Sequence, residues 1–234
     1  MKILSLNTWH GRQAFELRDF LAAQLDTTDV FCFQEAIGSD IEGIMAKLFA
    51  SPRFDSATTD KFVEDRLHYS LYTFVKQPLA IVRSESILDS SDAETGQALA
   101  TELDIDGQRL ALINIHGIPY PGHKLDTDGR LRQTEQIIAW LQRSASTPAV
   151  VCGDFNLLPS TKSVQDFAAA GYRDLIADYA IPTTRNKLAW AKHPDNKQLF
   201  ADYAFTSPDL EVREFTVPDI EVSDHLPMII DVAI

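Results

Sequence analysis

The chain contains no apolar run approaching the roughly 20 residues that a membrane-spanning helix needs, so no integral membrane segment is expected. Its opening stretch, MKILSLNTWHG, turns polar too early for a secretory signal, and a cytoplasmic protein is the expectation. Cysteine is scarce: Cys32 and Cys152 are the only two, each inside an apolar run. Two isolated cysteines fit no metal-finger spacing, and a reduced, buried pair is expected rather than a disulfide. Cations are in deficit, with 21 Lys and Arg against 34 Asp and Glu and a net charge of −13. Affinity for a polyanion is built largely from Lys and Arg contacts to phosphates, so strong non-specific nucleic-acid binding is not expected. A phosphate substrate whose charge a metal neutralises locally is still compatible with that balance. Also missing are a glycine-rich phosphate cradle, a nucleophilic serine elbow, internal repeats, low-complexity tracts and any linker. A single domain over residues 1–234, monomeric, is the resulting expectation.

What is present reads as a globular mixture, 45% hydrophobic and 24% charged over 234 residues, long enough for a substantial core. Strand patterns occur at 2–7, 29–34, 68–75, 79–84, 97–105, 109–117, 148–154, 199–207, 210–217 and 227–234. Asp106-Gly107 marks a hairpin between two of them. Helical periodicity predicts helices over 11–25, 39–50 (with Ser39 as N-cap), 129–145 and 161–171. In the third of these, Leu131, Ile137, Ile138 and Leu141 share a face. Strands outnumber helices, which favours mixed sheets with helices outside them over a purely parallel α/β fold.

The polar residues that interrupt these patterns fall at strand ends. Asn7 closes the first strand, Glu35 the second and His116 the strand LINIHG. Asp154 and Asn156 close VVCGDFN, Asp202 opens DYAF, and Ser223-Asp224-His225 precedes the last strand. Asp154 and Asn156 are two apart, so strand alternation points them the same way. Taken singly, each residue fits a turn or a solvated strand end; the set together has a coherent chemistry. A carboxylate with an amide suits a hard cation such as Mg²⁺, which needs few protein ligands. Asp with His can orient water and stabilise charge developing on a phosphoryl group.

The stretches LSLNTW, FCFQEA, INIHG, VCGDFNLLPS, FADYAF and SDHLP, in that order, resemble the motifs of the endonuclease/exonuclease/phosphatase superfamily. The resemblance implies an α/β (α+β) four-layer sandwich: two mixed, mostly antiparallel sheets packed face to face and flanked by helices. It also implies a metal-dependent phosphoric ester hydrolase using Mg²⁺, with Mn²⁺ as the other candidate. Carried over by position, Glu35 is the principal metal ligand, Asn7 lies beside it on metal or phosphate, and Asp224 lies by the metal. Asp154 would orient and deprotonate the attacking water, and Asn156 would hold phosphoryl oxygens. His225, hydrogen-bonded to Asp202, would face the phosphate, and His116 would add a second contact.

Between Glu35 and His116 three acids could support His116: Glu64, Asp65 and Glu85. Loop residues Trp9, His10, Tyr120, His123, Arg185, Trp190, Lys192 and His193 could form a substrate rim. Of these, Arg185 and Lys192 are the two expected to act, on a second phosphate. The substrate class stays open among small phosphate esters, lipid headgroups and nucleic acid, with the acidic balance weighing against duplex DNA. A nuclease is the rival within enzymes; an inactive binding scaffold of the same fold is the rival outside them.

Overall fold

The computed structural model describes residues 1–50, 52–63, 66–88, 96–144, 147–191 and 194–234, without the side chains of 39, 61–63 and 66–69. The elements run β1 (Lys2–Asn7), α1 (Ala14–Gln24), β2 (Val30–Gln34), α2 (Ser39–Leu48), β3 (Phe54–Val63), β4 (Arg66–Lys76), β5 (Ala80–Ser86), β6 (Gln97–Ile105) and β7 (Gln108–His116). They continue with α3 (Asp128–Arg143), β8 (Ala149–Asp154), α4 (Lys162–Ala169), β9 (Arg173–Asp174), α5 (Leu175–Asp178), β10 (Asp202–Thr206), β11 (Val212–Thr216) and β12 (Met228–Val232). Among the described residues no helix is long and apolar enough to cross a membrane.

Two six-stranded sheets result, in the orders β11-β12-β1-β2-β4-β3 and β5-β6-β7-β8-β10-β9. Each contains one parallel pair, β1 with β2 and β7 with β8; the remaining pairings are antiparallel. The expected mixed, mostly antiparallel sandwich flanked by helices is therefore the observed one. Parallel neighbours need a crossover, and α1 and α3 supply it within the two pairs. The central strands are buried along nearly their whole length, so they read as mainly apolar runs with polar ends. One core joins the facing sheets and continues under α3 and α4. A second, rich in phenylalanine (Phe31, Phe33, Phe49, Phe54, Phe74), fills the space between the first sheet and α1 and α2.

The departures from the sequence reading have local causes. The helix expected from residue 11 begins at Ala14, because Trp9, His10 and Gly11 take successive positive φ values of 50°, 56° and 72°. Helix α2 starts at Ser39 itself, so Gly38 occupies the cap position. Strand β3 escapes a hydrophobicity pattern because it is a sheet edge; Phe54 and Ala57 are buried while most of its other described positions are exposed. The buried face of α3 is Arg130, Gln133, Thr134, Ile137, Trp140 and Leu141, which leaves Leu131 and Ile138 half-buried. Arg130 goes inward because its guanidinium donates to the backbone carbonyls of Ile118, Pro121 and Leu125, a use that a hydrophobicity pattern does not register. The hairpin at Asp106-Gly107 forms as expected, both residues having φ above 50°. Cys32 and Cys152 are buried and free.

A polar tie crosses the middle of the sandwich. Gln34 at the end of β2 donates from Nε2 to Asn114 Oδ1 in β7 at 2.7 Å. Asn114 Nδ2 lies 3.2 Å from the carbonyl of Phe33 and 3.0 Å from that of Tyr72, both in the opposite sheet. Both amides are fully buried.

At Gly153, in β8, φ is +137° and a Cβ would stand 2.2 Å from the Ile115 carbonyl oxygen of the neighbouring strand. Gly153→Ala is expected to destabilise the protein by at least about 2 kcal/mol through strain and backbone displacement. Urea denaturation measures this as a lowered midpoint at unchanged slope.

Candidate active site

Strand direction alone gathers the polar residues. The C-terminal ends of β1 and β2 lie at the N-terminal end of β12, and those of β7 and β8 at the N-terminal end of β10. Within the second sheet, His116, Asp154 and Asp202 sit directly opposite one another on adjacent strands, a row across β7, β8 and β10. Within the first sheet, Asn7 is the last residue of β1 and Glu35 follows the last residue of β2, paired alongside it. Asn7 joins the two sheets: its Nδ2 lies 3.1 Å from Glu35 Oε1 and 3.0 Å from Asp154 Oδ2. Its Oδ1 accepts from the Trp9 amide at 3.0 Å, so the amide turns its nitrogen to the carboxylates.

Around this bridge the groups interlock. His116 Nε2 is 3.6 Å from Glu35 Oε1 and 3.8 Å from Asp154 Oδ2. Burial holds the His116 imidazole below its ordinary value despite these two carboxylates, so it is neutral near pH 7. His225 Nε2 stands 3.8 Å from Asp154 Oδ2, while its Nδ1 contacts Asp202 at 2.8 and 3.0 Å. Burial disfavours the His225 imidazolium, but Asp202 first, then Asp224 and Asp154, outweigh it and raise the group to about 9. Burial likewise disfavours an ionised Asp154; His225, Lys124, His116 and Arg185 outweigh it and bring the carboxyl down to about 2. Asp154 also accepts from the Asn156 amide N–H at 2.9 Å, which closes a turn in which Asn156 has φ of 55°.

Asp202 and His225 belong to separate segments that a third one stitches together. The Thr184 hydroxyl accepts from the amides of Ala201 and Asp202, both at 3.1 Å, and its carbonyl accepts from Leu226 at 2.9 Å. Arg185 forms an isolated antiparallel bridge with His225, and Asn186 Nδ2 donates to the Ser223 carbonyl at 2.8 Å. The stretch Thr184 to Asn186 thus places the dyad.

Seven of the eight expected site residues, Asn7, Glu35, His116, Asp154, Asn156, Asp202 and His225, come together about Asp154. Asp224 adjoins the group through His225: its Oδ2 pairs with Arg185 Nη2 at 2.8 Å and its Oδ1 is 3.8 Å from His225 Nε2. Arg185 uses Nη2 in that pair, while its buried Nε has no hydrogen-bond partner among the described residues. Lys192, His193, Glu64 and Asp65 lie outside the described residues, and Glu85 instead accepts from Trp140 Nε1 at 2.8 Å. Two further residues enter the site, His10, expected only as a rim residue, and Lys124, which had no assigned role. His10 puts Nε2 3.2 Å from Glu35 Oε2, and Lys124 donates from Nζ to Asn156 Oδ1. His10 is visible in the sequence only as a polar loop residue, and Lys124 only as a lysine in a loop.

The donor chemistry fits a divalent cation. Ligand atoms of Glu35, His116 and Asp154 all lie within 4.8 Å of one another, as do those of Asp154, Asp202 and His225. In the second group, Asp202 and His225 already satisfy each other. The first, two carboxylates beside an amide, presents the oxygen-rich face that a hard cation takes.

A search of curated proteins finds no match to this chain. Among solved structures, an endonuclease/exonuclease/phosphatase from Bacteroides vulgatus superposes with a TM-score of 0.78 at 16% identity, covering 99% of this chain and 98% of that one. A mannosyl-6-phosphatase from Bacteroides thetaiotaomicron gives 0.74 at 17% identity with 100% of both chains covered. D. rerio TDP2, complexed with a single-strand DNA product, gives 0.73 at 16% identity, covering 98% and 97%. At these identities the likenesses establish the shared fold. The family model described as "Endonuclease/Exonuclease/phosphatase family" matches residues 4–225, nearly the whole chain. The chain belongs to the endonuclease/exonuclease/phosphatase family of metal-dependent hydrolases.

Proposed function

We propose that this protein is a Mg²⁺-dependent phosphoesterase, its whole chain one catalytic domain, that cleaves a phosphate ester by in-line attack of water. The observation that supports this best is the segregation of charge about Asp154. An ionised carboxylate at the centre is bridged by Asn7 to Glu35 on one side, and a buried imidazolium, His225, faces it on the other.

Glu35, with Asp154 beside it, would hold the divalent cation, which when bound polarises a phosphoryl oxygen and offsets its charge. Asp154 accepts a hydrogen bond from the attacking water and aims its lone pair at phosphorus. With its carboxyl near 2, it takes the water's proton only as the new bond forms. His225 presents Nε2–H to a phosphoryl oxygen, and Asp202 on Nδ1 keeps that ring protonated and oriented. Neutral His116 adds a second donor, and Asn7 keeps the two carboxylates in fixed relation. The net charge of −13 favours a small or lipid-borne ester over duplex DNA.

A hydrolysis panel of phosphomonoesters, phosphodiesters, phospholipid, RNA and single- and double-stranded DNA, with Mg²⁺, Mn²⁺ or chelator, tests the reading. Turnover of at least one ester that chelator abolishes is expected; inactivity on all of them would refute it. Asp154→Asn keeps the shape without the base, and is expected to lower kcat by about 10² or more. Glu35→Gln should weaken Mg²⁺ binding in calorimetry while the circular dichroism spectrum is retained.

The Asp202–His225 pair carries a separate expectation in the metal-free protein. The imidazole binds its proton more tightly in the folded than in the unfolded chain, its value rising from 6.5 to about 9. Its contribution to stability, on the order of 3 kcal/mol, is therefore complete below pH 6.5 and lost as the pH rises through 9. Asp202→Asn removes the largest upward influence, so the His225 ring titration followed by NMR should fall well below 9. A ring still titrating near 9 in that variant would dissolve the dyad.

A further inference from the structure

We propose that Lys124 is a further catalytic residue, whose ammonium binds a phosphoryl oxygen of the substrate beside Asn156. The proposal rests on the phosphoesterase reading above and adds a cation to it.

Lys124 is 6% exposed, and its Nζ donates to Asn156 Oδ1. An ammonium carries three donors, and among the described residues no second acceptor and no carboxylate at ion-pair distance meets this one. A buried cation left in that state is costly, because it has lost its hydration without gaining an anion. Burial holds the group below the ordinary lysine value, and the neighbours that support its charge, Asp154 and Asp202, belong to the catalytic row. The spare donors are therefore in the place where a phosphoryl group would sit, with Asn156 fixed alongside by its bond to the Gly117 carbonyl at 3.2 Å.

The loop is built to deliver this side chain. Lys124 has φ of 57°, a left-handed conformation that a non-glycine residue adopts at a cost. Its carbonyl accepts from Leu158 N at 2.9 Å. On either side, the fully buried Arg130 spends its guanidinium on the carbonyls of Ile118, Pro121 and Leu125 rather than on any carboxylate. Orienting the Asn156 amide needs a donor and not a charge, so that role alone does not account for a buried ammonium.

The test compares wild type with Lys124→Met, Lys124→Gln and Lys124→Ala on an ester the wild type hydrolyses. The Gln variant keeps a donor for Asn156 and isolates the charge. Both Met and Gln variants are expected to lose about 10²-fold in kcat, the loss typical of one missing oxyanion donor, with smaller changes in KM. Lys124→Ala should recover activity with propylammonium and not with 1-propanol. A kcat within about threefold of wild type in the Gln variant, well short of a lost donor, would overturn the proposal, as would equal rescue by 1-propanol. Calorimetric titration of inorganic phosphate in the presence of Mg²⁺ reads the same contact without turnover. Binding about tenfold weaker in both variants is expected for a lost charge-assisted hydrogen bond, and unchanged binding would overturn Lys124's role. A wild type inactive on every ester would defeat the phosphoesterase reading instead, and the phosphate titration would still decide Lys124.

Discussion

The hydrogen bond between Gln34 and Asn114 fixes how one sheet lies on the other. Apolar contact between facing sheets is non-directional, and the aliphatic residues packed between them would tolerate a small slide. Two fully buried amides do not, because each unpaired polar group would cost on the order of 1–3 kcal/mol. The bond lies one residue before Glu35 and two before His116. Where it sets the register, Glu35 and His116 meet within 3.6 Å, and Asn7 can span both sheets' carboxylates. Chemistry at the rim is thereby tied to a polar contact inside the core.

Backbone strain is distributed unevenly. Among the described residues, seven other than glycine have positive φ: Trp9, His10, Glu35, Asp106, Lys124, Asn156 and Ala180. Asp106 belongs to a hairpin turn and Ala180 follows a helix end, where such angles are routine. The other five line the site or the turn beside it. Each such residue costs roughly 1–2 kcal/mol, and the large apolar core supplies the stability that offsets them. The strained turn at Trp9 and His10 is what lays an imidazole against Glu35. Strained side chains are also held side chains, so little reorganisation remains when a substrate binds.

Much of this arrangement was legible because strand ends are readable. A carboxylate or amide that stops an apolar run stands out, and Asn7, Glu35, His116, Asp154, Asn156, Asp202 and His225 all do so. Mixed sheets with helices outside them were legible from the count and spacing of runs, and the sandwich from the family resemblance. Residues whose importance comes from a partner distant in sequence were not. Gln34 looks like a spacer before Glu35, Asn114 like an anomaly in LINIH, and Arg130 like a solvated helix position. Lys124 and His10 sit in loops, where composition says nothing about direction, and strand β3 is an edge that needs no apolar pattern. Asp224 stands out in the motif SDH, but its pairing with Arg185, 39 residues earlier, does not.

The row formed by His116, Asp154 and Asp202 bears on how the protein can change over generations. Its alignment depends on the pairing of three strands, where the side-chain period is two. Inserting or deleting one residue within β7, β8 or β10 would turn one of these side chains to the wrong face. Length changes in the connecting loops leave the row untouched, since loops accept insertions at small thermodynamic cost. Length changes in the loops around Tyr120 and Trp190 can therefore remodel the surroundings of the row while the row stays aligned. On this backbone, the surroundings vary through loop lengths, and the polar row is inherited through strand register.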